Sequence, residues 1–283
     1  MNVSFDRLGL VGRFGNAAFQ LASTAGIAHT LGVEPRYNAS WLHRDFFSVP
    51  PELFADDFVD CVPAERTHLV RHLDERAAVY LQDLSLFSEI LPKLREWLRP
   101  SPVAEEIMAE HHQMAEFQAL RRPVLSVHVR RGDNAPGGDP GTPNKHLWHP
   151  MPSLNFYRTA MERFDPPAGA DVVSGSTVVF SDDIAWCRKM LPGADLYFEG
   201  MSRPKEHEPD FLTAPVRDFV DWFCQVDCDF HVCSNSTFGV MAAIIAGDDN
   251  AIVPWPFFGP KLKYVDASLM FPSTWTRLSA QGD

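Results

Sequence analysis

The stretch Val124-Leu-Ser-Val-His-Val-Arg-Arg-Gly-Asp133 decides how the rest of the chain is read. It opens as an apolar run rich in β-branched residues, the pattern of a strand buried in a sheet. It ends in a His, two adjacent Arg, a Gly and an Asp, so the strand delivers a cationic cluster to a loop. Two guanidiniums followed by a glycine that lets the backbone turn suit a diphosphate, because arginine presents planar, permanently charged forks that match phosphate oxygens. Strand alternation puts Arg130 on the face of His128 and turns Arg131 to the other face, where a structural role is expected.

The surroundings of this cluster narrow its meaning. At 283 residues the chain has room for two α/β domains or one large one, each with its own core. With 45% hydrophobic and 22% charged residues it reads as an ordinary globular protein. A formal charge of −12 argues against broad binding to nucleic acid, so the arginine pair marks a local site. Cys61, Cys187, Cys224, Cys228 and Cys233 are odd in number and irregularly spaced, which favours a reducing compartment over a disulfide framework. No basic-then-apolar leader opens the sequence, and no run approaches the roughly 18 apolar residues of a membrane span. A cytoplasmic protein is expected, peripheral to a membrane if its substrate is lipid-linked.

Before the cluster, Leu8-Gly-Leu-Val-Gly-Arg-Phe-Gly-Asn16 leads into small and apolar residues at helical spacing up to Leu31. The first reading is a tight strand-to-helix turn with Gly12 and Gly15 at positive φ. The second is an anion or sugar contact at the helix N-terminus. Residues 33–76 read only as short strands and loops. Ala77–Leu81 reads as a strand, and 86–98 and 102–120 as helices, the latter started by Ser101-Pro102. His111 and His112 read as part of a solvated helix face. Arg121-Arg122-Pro123 marks a domain boundary.

After the cluster comes a long loop, Asn134–Pro150, with three Gly and four Pro around Lys145, His146 and His149; a loop of this kind suits a substrate cover. A helix over 151–164 and a strand over 177–183 follow. That strand ends in Asp182 and Asp183, which either cap the helix 184–191 or bind a ligand in the crevice of an open sheet. Further on, a strand over 195–198, a helix over 214–226 and a strand over 230–233 precede Ser234-Asn-Ser-Thr-Phe238. This polar turn opens an apolar helix over 239–246, before a strand over 251–254. Hydroxyls at a helix N-terminus add donors to its free N–H groups, and an ordinary Ser/Asn cap is the alternative.

Other chemistries are weaker. Asp227-Cys-Asp229 has the D-x-D spacing of some metal-dependent sugar transferases, but it falls at the end of the strand opposite the expected crevice. Cys224, Cys228, His231 and Cys233 lack the paired knuckles of a zinc site. There is no G-x-S-x-G elbow.

Four fragments in order resemble the α-1,2-fucosyltransferase family of inverting glycosyltransferases. They are Gly12-Arg-Phe-Gly-Asn-Ala-Ala-Phe-Gln20, His128-Val-Arg-Arg-Gly-Asp133, Phe180-Ser-Asp-Asp183 with Trp186, and Ser234-Asn-Ser-Thr-Phe238. The chain departs from that family at Ala17-Ala18 and at Gly239-Val240-Met241. The resemblance implies an α/β, GT-B-like protein: two Rossmann-like domains facing a central cleft. An acceptor-side domain over 1–121, a nucleotide-sugar-binding domain over 122–265 and a tail over 266–283 packing back on the first are expected.

The resemblance also implies GDP-fucose as donor, a glycan acceptor, lipid-linked ones included, and no metal or cofactor. Arg130 would contact the diphosphate as the catalytic cation, with Asp133 orienting the arginines. His128, Arg131, Asp182, Asp183, Asn235, Ser236, Thr237 and Phe238 would line the donor site. Gly12, Gly15 and Asn16 would face the cleft from the other domain. The expected activity is transfer of fucose to a glycan hydroxyl with inversion. A nucleotide-sugar-binding protein without transferase activity, and a transferase for another nucleotide-hexose, are the alternatives. The general base is not identifiable from sequence.

Overall fold

A computed structural model describes residues 2–135, 145–164, 175–199 and 214–281. Most of the loop over 134–150 therefore lies outside the described residues. Cα packing divides the chain into two compact units: 1–107 with 264–273, and 108–263 with 274–283.

The first unit contains a four-stranded parallel sheet in the order β3-β2-β1-β4. Its strands are β1 (Asn2–Phe5), β2 (Pro35–Asn38), β3 (Phe54–Ala55) and β4 (Cys61–Pro63). Between β1 and β2 runs α1 (Phe14–Leu31), a helix buried on every side from Phe14 to Ala28 apart from Asn16. Small residues permit this, because Ala, Ser and Gly let neighbours approach from all directions. At Gly26 an added Cβ would lie 1.9 Å from the Leu86 carbonyl oxygen. Gly32, in the left-handed region at φ 65°, ends the helix. Tyr37 on β2 donates its hydroxyl to the Leu21 carbonyl at 2.9 Å and so ties sheet to helix.

Three local expectations change here. Ala77–Leu81 is not a strand: α2 (Glu75–Ala78) starts on an Asp74 cap, and Leu81 at φ 52° cannot continue extended backbone. The helix expected over 86–98 is two 3-10 turns followed by α3 (Leu91–Trp97), which begins where Pro92 fits a first turn. The 102–120 segment is two helices, α4 (Pro102–Glu110) and α5 (Met114–Gln118). The Ser101 cap is present, its Oγ accepting from Ala104 N–H. Tertiary bonds form at the break between α4 and α5. The Gln113 side chain donates to the Tyr197 carbonyl and accepts from Glu199 N–H. His111 and His112 lie in this break, ring centroids 4.6 Å apart, and not on a helix face.

The second unit contains β5 (Val124–Val129), α6 (Leu154–Glu162), β6 (Ser176–Ser181), α7 (Ile184–Met190), β7 (Leu196–Phe198), α8 (Ala214–Val226), β8 (Phe230–Val232), α9 (Thr237–Ala246), β9 (Ile252–Trp255) and β10 (Thr276–Ser279). Its sheet is parallel throughout, in the order β10-β9-β8-β5-β6-β7. Renumbered within the unit, this is the 3-2-1-4-5-6 order of dinucleotide-binding folds. The β5 strand is buried at all six positions and pairs with β6 from Val124↔Ser176 to Val129↔Ser181. Val127 and Val129 pack into the core formed with Phe156, Tyr157, Ile184 and Cys187. The α/β class and the parallel sheets are as expected. The end of the chain was expected as a tail over 266–283 packing back on the first domain; residues 264–273 group with the first unit, whereas β10 is the outer strand of the second unit's sheet.

Candidate active site

The strand order reverses direction between β5 and β8, both central in the second sheet. At such a switch point the connections leave to opposite faces and open a crevice at the carboxyl ends of the strands, the usual ligand site of open α/β sheets. His128 to Gly132 and Ser234 to Phe238 are the residues that emerge there.

Alternation along β5 divides its polar residues as expected. His128 faces α9. It is 2% exposed, its Nδ1 lies 3.0 Å from Ser234 Oγ, and its ring stacks on Phe238 at 5.5 Å. Burial and, secondarily, the Arg130 charge hold its pKa down at about 3, so the imidazole is neutral. A Cβ on residue 239 would lie 2.7 Å from His128 Nδ1. Gly239, one of the departures from the family pattern, is thus the residue that lets α9 approach this histidine. Arg131 turns to the other face: its Nε donates to Asp183 at 3.0 Å and its guanidinium lies 4.0 Å from the Trp186 ring centroid.

Arg130 is ion-paired with Asp182, and each side chain is 15% exposed. The other oxygen of Asp182 accepts the backbone N–H groups of Arg131 at 2.8 Å and Gly132 at 3.0 Å. One carboxylate therefore fixes both the guanidinium and the turn that follows β5. A side chain at Gly132 would put its Cβ 2.3 Å from Asp182 Oδ2, so glycine is required by this close approach. Asp183 caps α7 by accepting from Trp186 N–H, the first of the two roles weighed for these acids, and it also binds Arg131. The arginine-orienting carboxylates seen are Asp182 and Asp183, whereas the Asp133 side chain lies outside the described residues.

The opposite wall is the polar turn before α9. Ser236 caps the helix by accepting from Phe238 N–H, and Thr237 is its first residue. Asn235, 5% exposed, donates to the carbonyls of Phe257 and Pro256 and anchors the loop after β9. Beneath the arginines, Tyr157 keeps its phenol protonated because burial raises its pKa. The unit thus places a fixed guanidinium and a capped helix N-terminus at one strand reversal, the combination that stabilises an anionic group.

The remaining sequence candidates lie elsewhere. In the first unit, Gly12 has φ 83°, and a Cβ there would lie 2.0 Å from Asn16 Nδ2. Asn16 accepts from Gln82 at 2.8 Å. Gly15, expected at positive φ, is instead inside the first turn of α1, where helical backbone is required. Asp227 and Asp229 both bind Arg122 at the entry to β5 and β8, the end remote from the switch point. His231 spends both ring nitrogens on Asp248 and the Gln225 carbonyl. Among the described residues no three His, Cys, Asp or Glu side chains converge as a metal site. Sequence reading named Gly132 only as a turn glycine, Ser234 only as the start of the polar turn and Gly239 only as a departure from the family pattern, without their contacts to Asp182 and His128. The parallel register Val127↔Val232, had it been known, would have brought Ser234 level with the end of β5.

The model of glycosyl transferase family 11 matches residues 91–258, more than half of the chain and all of the switch-point residues. The chain belongs to glycosyl transferase family 11. Similar to this family 11 chain are galactoside 2-alpha-L-fucosyltransferase Sec1 of Mus musculus, 28% identical over 165 residues, and galactoside alpha-(1,2)-fucosyltransferase 2 of Mus musculus, 24% identical over 269. The first alignment covers 54% of this chain and 39% of the relative, the second 84% and 67%. The chain thus spans well under half of the first relative and about two thirds of the second. A solved structure of NodZ alpha-1,6-fucosyltransferase co-crystallized with GDP covers 85% of this family 11 chain and 91% of its own, at 13% identity and a TM-score of 0.44. Among the described residues no helix is long and apolar enough to cross a membrane.

Proposed function

We propose that the protein transfers fucose from GDP-fucose to a hydroxyl of a galactoside-type glycan, forming an α-1,2 linkage with inversion. The observation that carries this reading is the Arg130–Asp182 pair at the β5/β8 switch point, opposite the Ser236-capped start of α9. Membership of family 11 and the names of the curated relatives support the sugar and the linkage. As the bond from fucose to the diphosphate breaks, negative charge grows on the departing GDP and positive charge on the sugar ring. A guanidinium and helix N–H groups already held in place stabilise that growing charge more than they stabilise the resting donor, and so lower the barrier. In this reading those groups supply the positive charge at the leaving group, with no metal or cofactor in the donor site. Asp182 and Asp183 are engaged by arginines and are not available as metal carboxylates. A cytoplasmic setting, peripheral to a membrane for lipid-linked acceptors, belongs to the same proposal.

The test is incubation with GDP-fucose and a panel of galactosides, with product linkage and anomeric configuration read by NMR. Arg130→Ala should lower turnover by at least 10- to 100-fold, since a charge-assisted contact contributes ~1.5–3 kcal/mol. Turnover close to that of the unaltered protein would remove Arg130 from its role. Calorimetry with other nucleotide-hexoses tests the donor sugar, and donor binding without GDP release would favour a non-transferring binder.

A further inference from the structure

In the second unit, the exposed large hydrophobic side chains among the described residues are Trp148 and Trp255, each 37% exposed. A single exposed apolar residue is ordinary on a protein surface. These two, however, stand on one continuous backbone surface. Trp255 ends β9, and its carbonyl accepts Ala280 N–H at 2.8 Å, while the Ala280 carbonyl accepts Ser153 N–H at 2.7 Å. The Trp148 carbonyl accepts Gly259 N–H at 2.8 Å. A Cβ on residue 259 would lie 2.3 Å from the Leu147 carbonyl oxygen, so the loop after β9 and the segment before α6 approach too closely for a side chain there. Asn235 ties the same loop to the polar turn before α9 through the Pro256 and Phe257 carbonyls. The two tryptophans therefore sit on the carboxyl side of this sheet, beside the switch point and in the same unit.

A basic side chain accompanies each ring. Lys261 Nζ lies 5.9 Å from the Trp148 centroid, and the Arg277 guanidinium 4.5 Å from that of Trp255. Lys261, Lys263 and Arg277 are all exposed. The stretches 145–153, 251–263 and 274–281, which build this surface, contain no Asp or Glu in a chain whose formal charge is −12. The surface is thus locally basic and aromatic on an acidic protein. With a Debye length of about 10 Å at 0.1 M salt, acids on other faces do little to cancel it.

A neutral glycan would use the rings and leave the cations idle. An anionic lipid surface uses both: tryptophan settles at the boundary between headgroups and acyl chains, and lysine and arginine lay their stems on apolar surface with their charges among the phosphates. We propose that the edge formed by Trp148, Trp255, Lys261, Lys263 and Arg277 docks the protein on membranes containing anionic phospholipid. Docked in this way, the carboxyl side of the second sheet lies next to the headgroups. The inference rests on the membrane-peripheral setting proposed above and names its surface; vesicle binding needs no substrate, so it succeeds or fails separately from fucosyl transfer.

The experiment is co-sedimentation of the full chain with vesicles of phosphatidylcholine plus phosphatidylglycerol and with vesicles of phosphatidylcholine alone, at low and high salt. Binding to the anionic vesicles that weakens with salt is expected. The double variant Lys261→Glu, Lys263→Glu should bind at least ~25-fold more weakly, since each basic residue at an anionic surface contributes about fivefold. Trp148→Ser with Trp255→Ser should lose roughly tenfold or more through the lost apolar burial. Lys189→Glu, on exposed α7 of the same unit, changes charge away from this edge and should leave binding unchanged. Circular dichroism checks that each variant is folded, and the exposed lysines keep the test valid where the tryptophan variant is not. GDP affinity and transfer to a soluble galactoside should be unaltered in the lysine variant. No vesicle binding by the unaltered protein overturns the proposal, as does equal binding to neutral vesicles. So does full binding by the lysine variant, or an equal loss in Lys189→Glu. A dimer in solution that the same variants dissolve, without vesicle binding, assigns the edge to a second copy of the chain and also overturns it.

Discussion

At the scale of single residues, the two ion pairs at the switch point are neutral together: Arg130 and Arg131 are balanced by Asp182 and Asp183. In the proposed reaction, what these pairs offer a phosphate lies in fixed geometry more than in net charge. Asp182→Asn separates the two effects, since it raises local positive charge while weakening the bonds to Arg130, Arg131 N–H and Gly132 N–H. If geometry dominates, turnover falls at least tenfold while GDP binds as well as before or better. A variant with faster turnover and tighter GDP binding would show that charge dominates. His128 carries a second prediction. Burial holds its pKa in the folded chain at about 3, below the ordinary 6.5 of an imidazole, so below pH 6.5 the unfolded chain binds a proton that the folded one does not. Its contribution to stability is full above pH 6.5 and falls as pH drops towards about 3, with a limiting slope of about 1.4 kcal/mol per pH unit. Denaturant titrations from pH 7 to 4 should show a shallower decline for His128→Gln than for the unaltered protein.

At the scale of elements, the site depends on how closely α9 approaches β5. Every residue of α9 from Phe238 to Ile245 is buried; Phe238 stacks on His128, and Gly239 leaves the room that His128 occupies. Gly239→Ala gains up to about 1 kcal/mol in helix propensity. It costs about 1–3 kcal/mol in overpacking, at the upper end here because the neighbour is itself confined. A net destabilisation of about 1–2 kcal/mol is expected from those two terms. The midpoint of urea unfolding checks it, and an unchanged or raised midpoint would show that α9 can move away freely. Element boundaries were legible wherever a local signal coincided with tertiary demand. Ser101-Pro102, the apolar run of β5 and the Ser236 turn each began an element where expected. They failed at the α4–α5 break, where the Gln113 side chain bonds Tyr197 and Glu199, more than 80 residues away.

At the scale of the whole molecule, the last residues are an integral part of the second unit. Its strand β10 pairs with β9 over four positions, Trp275 is 3% exposed and its Nε1–H donates to the Asp248 carbonyl, and Ser153 N–H donates to Ala280. Deleting residues 274–283 would expose the edge of β9 and remove the Trp275 packing. Burial of a Trp side chain alone contributes about 3–5 kcal/mol. Thermal unfolding of the shortened protein should begin well below that of the full chain, with aggregation through the open edge. Equal stability would mean that β10 only decorates the sheet.

The sequence by itself determined the local chemistry of this protein. Its runs and turns identified the buried strand, the arginine pair, the carboxylates at the end of β6 and the polar helix start, because periodicity and capping are properties of neighbouring residues. Even the division of labour between Arg130 and Arg131 followed from strand alternation alone. Only the tertiary structure decided that Asp182 serves Arg130 and two backbone N–H groups, that Ser234 meets His128, and that Gly239 rather than a larger residue must follow Phe238. Those contacts join positions 50 or more residues apart and depend on which strands lie side by side. Strand order is set by the packing of the whole sheet, and no local stretch of the chain encodes it.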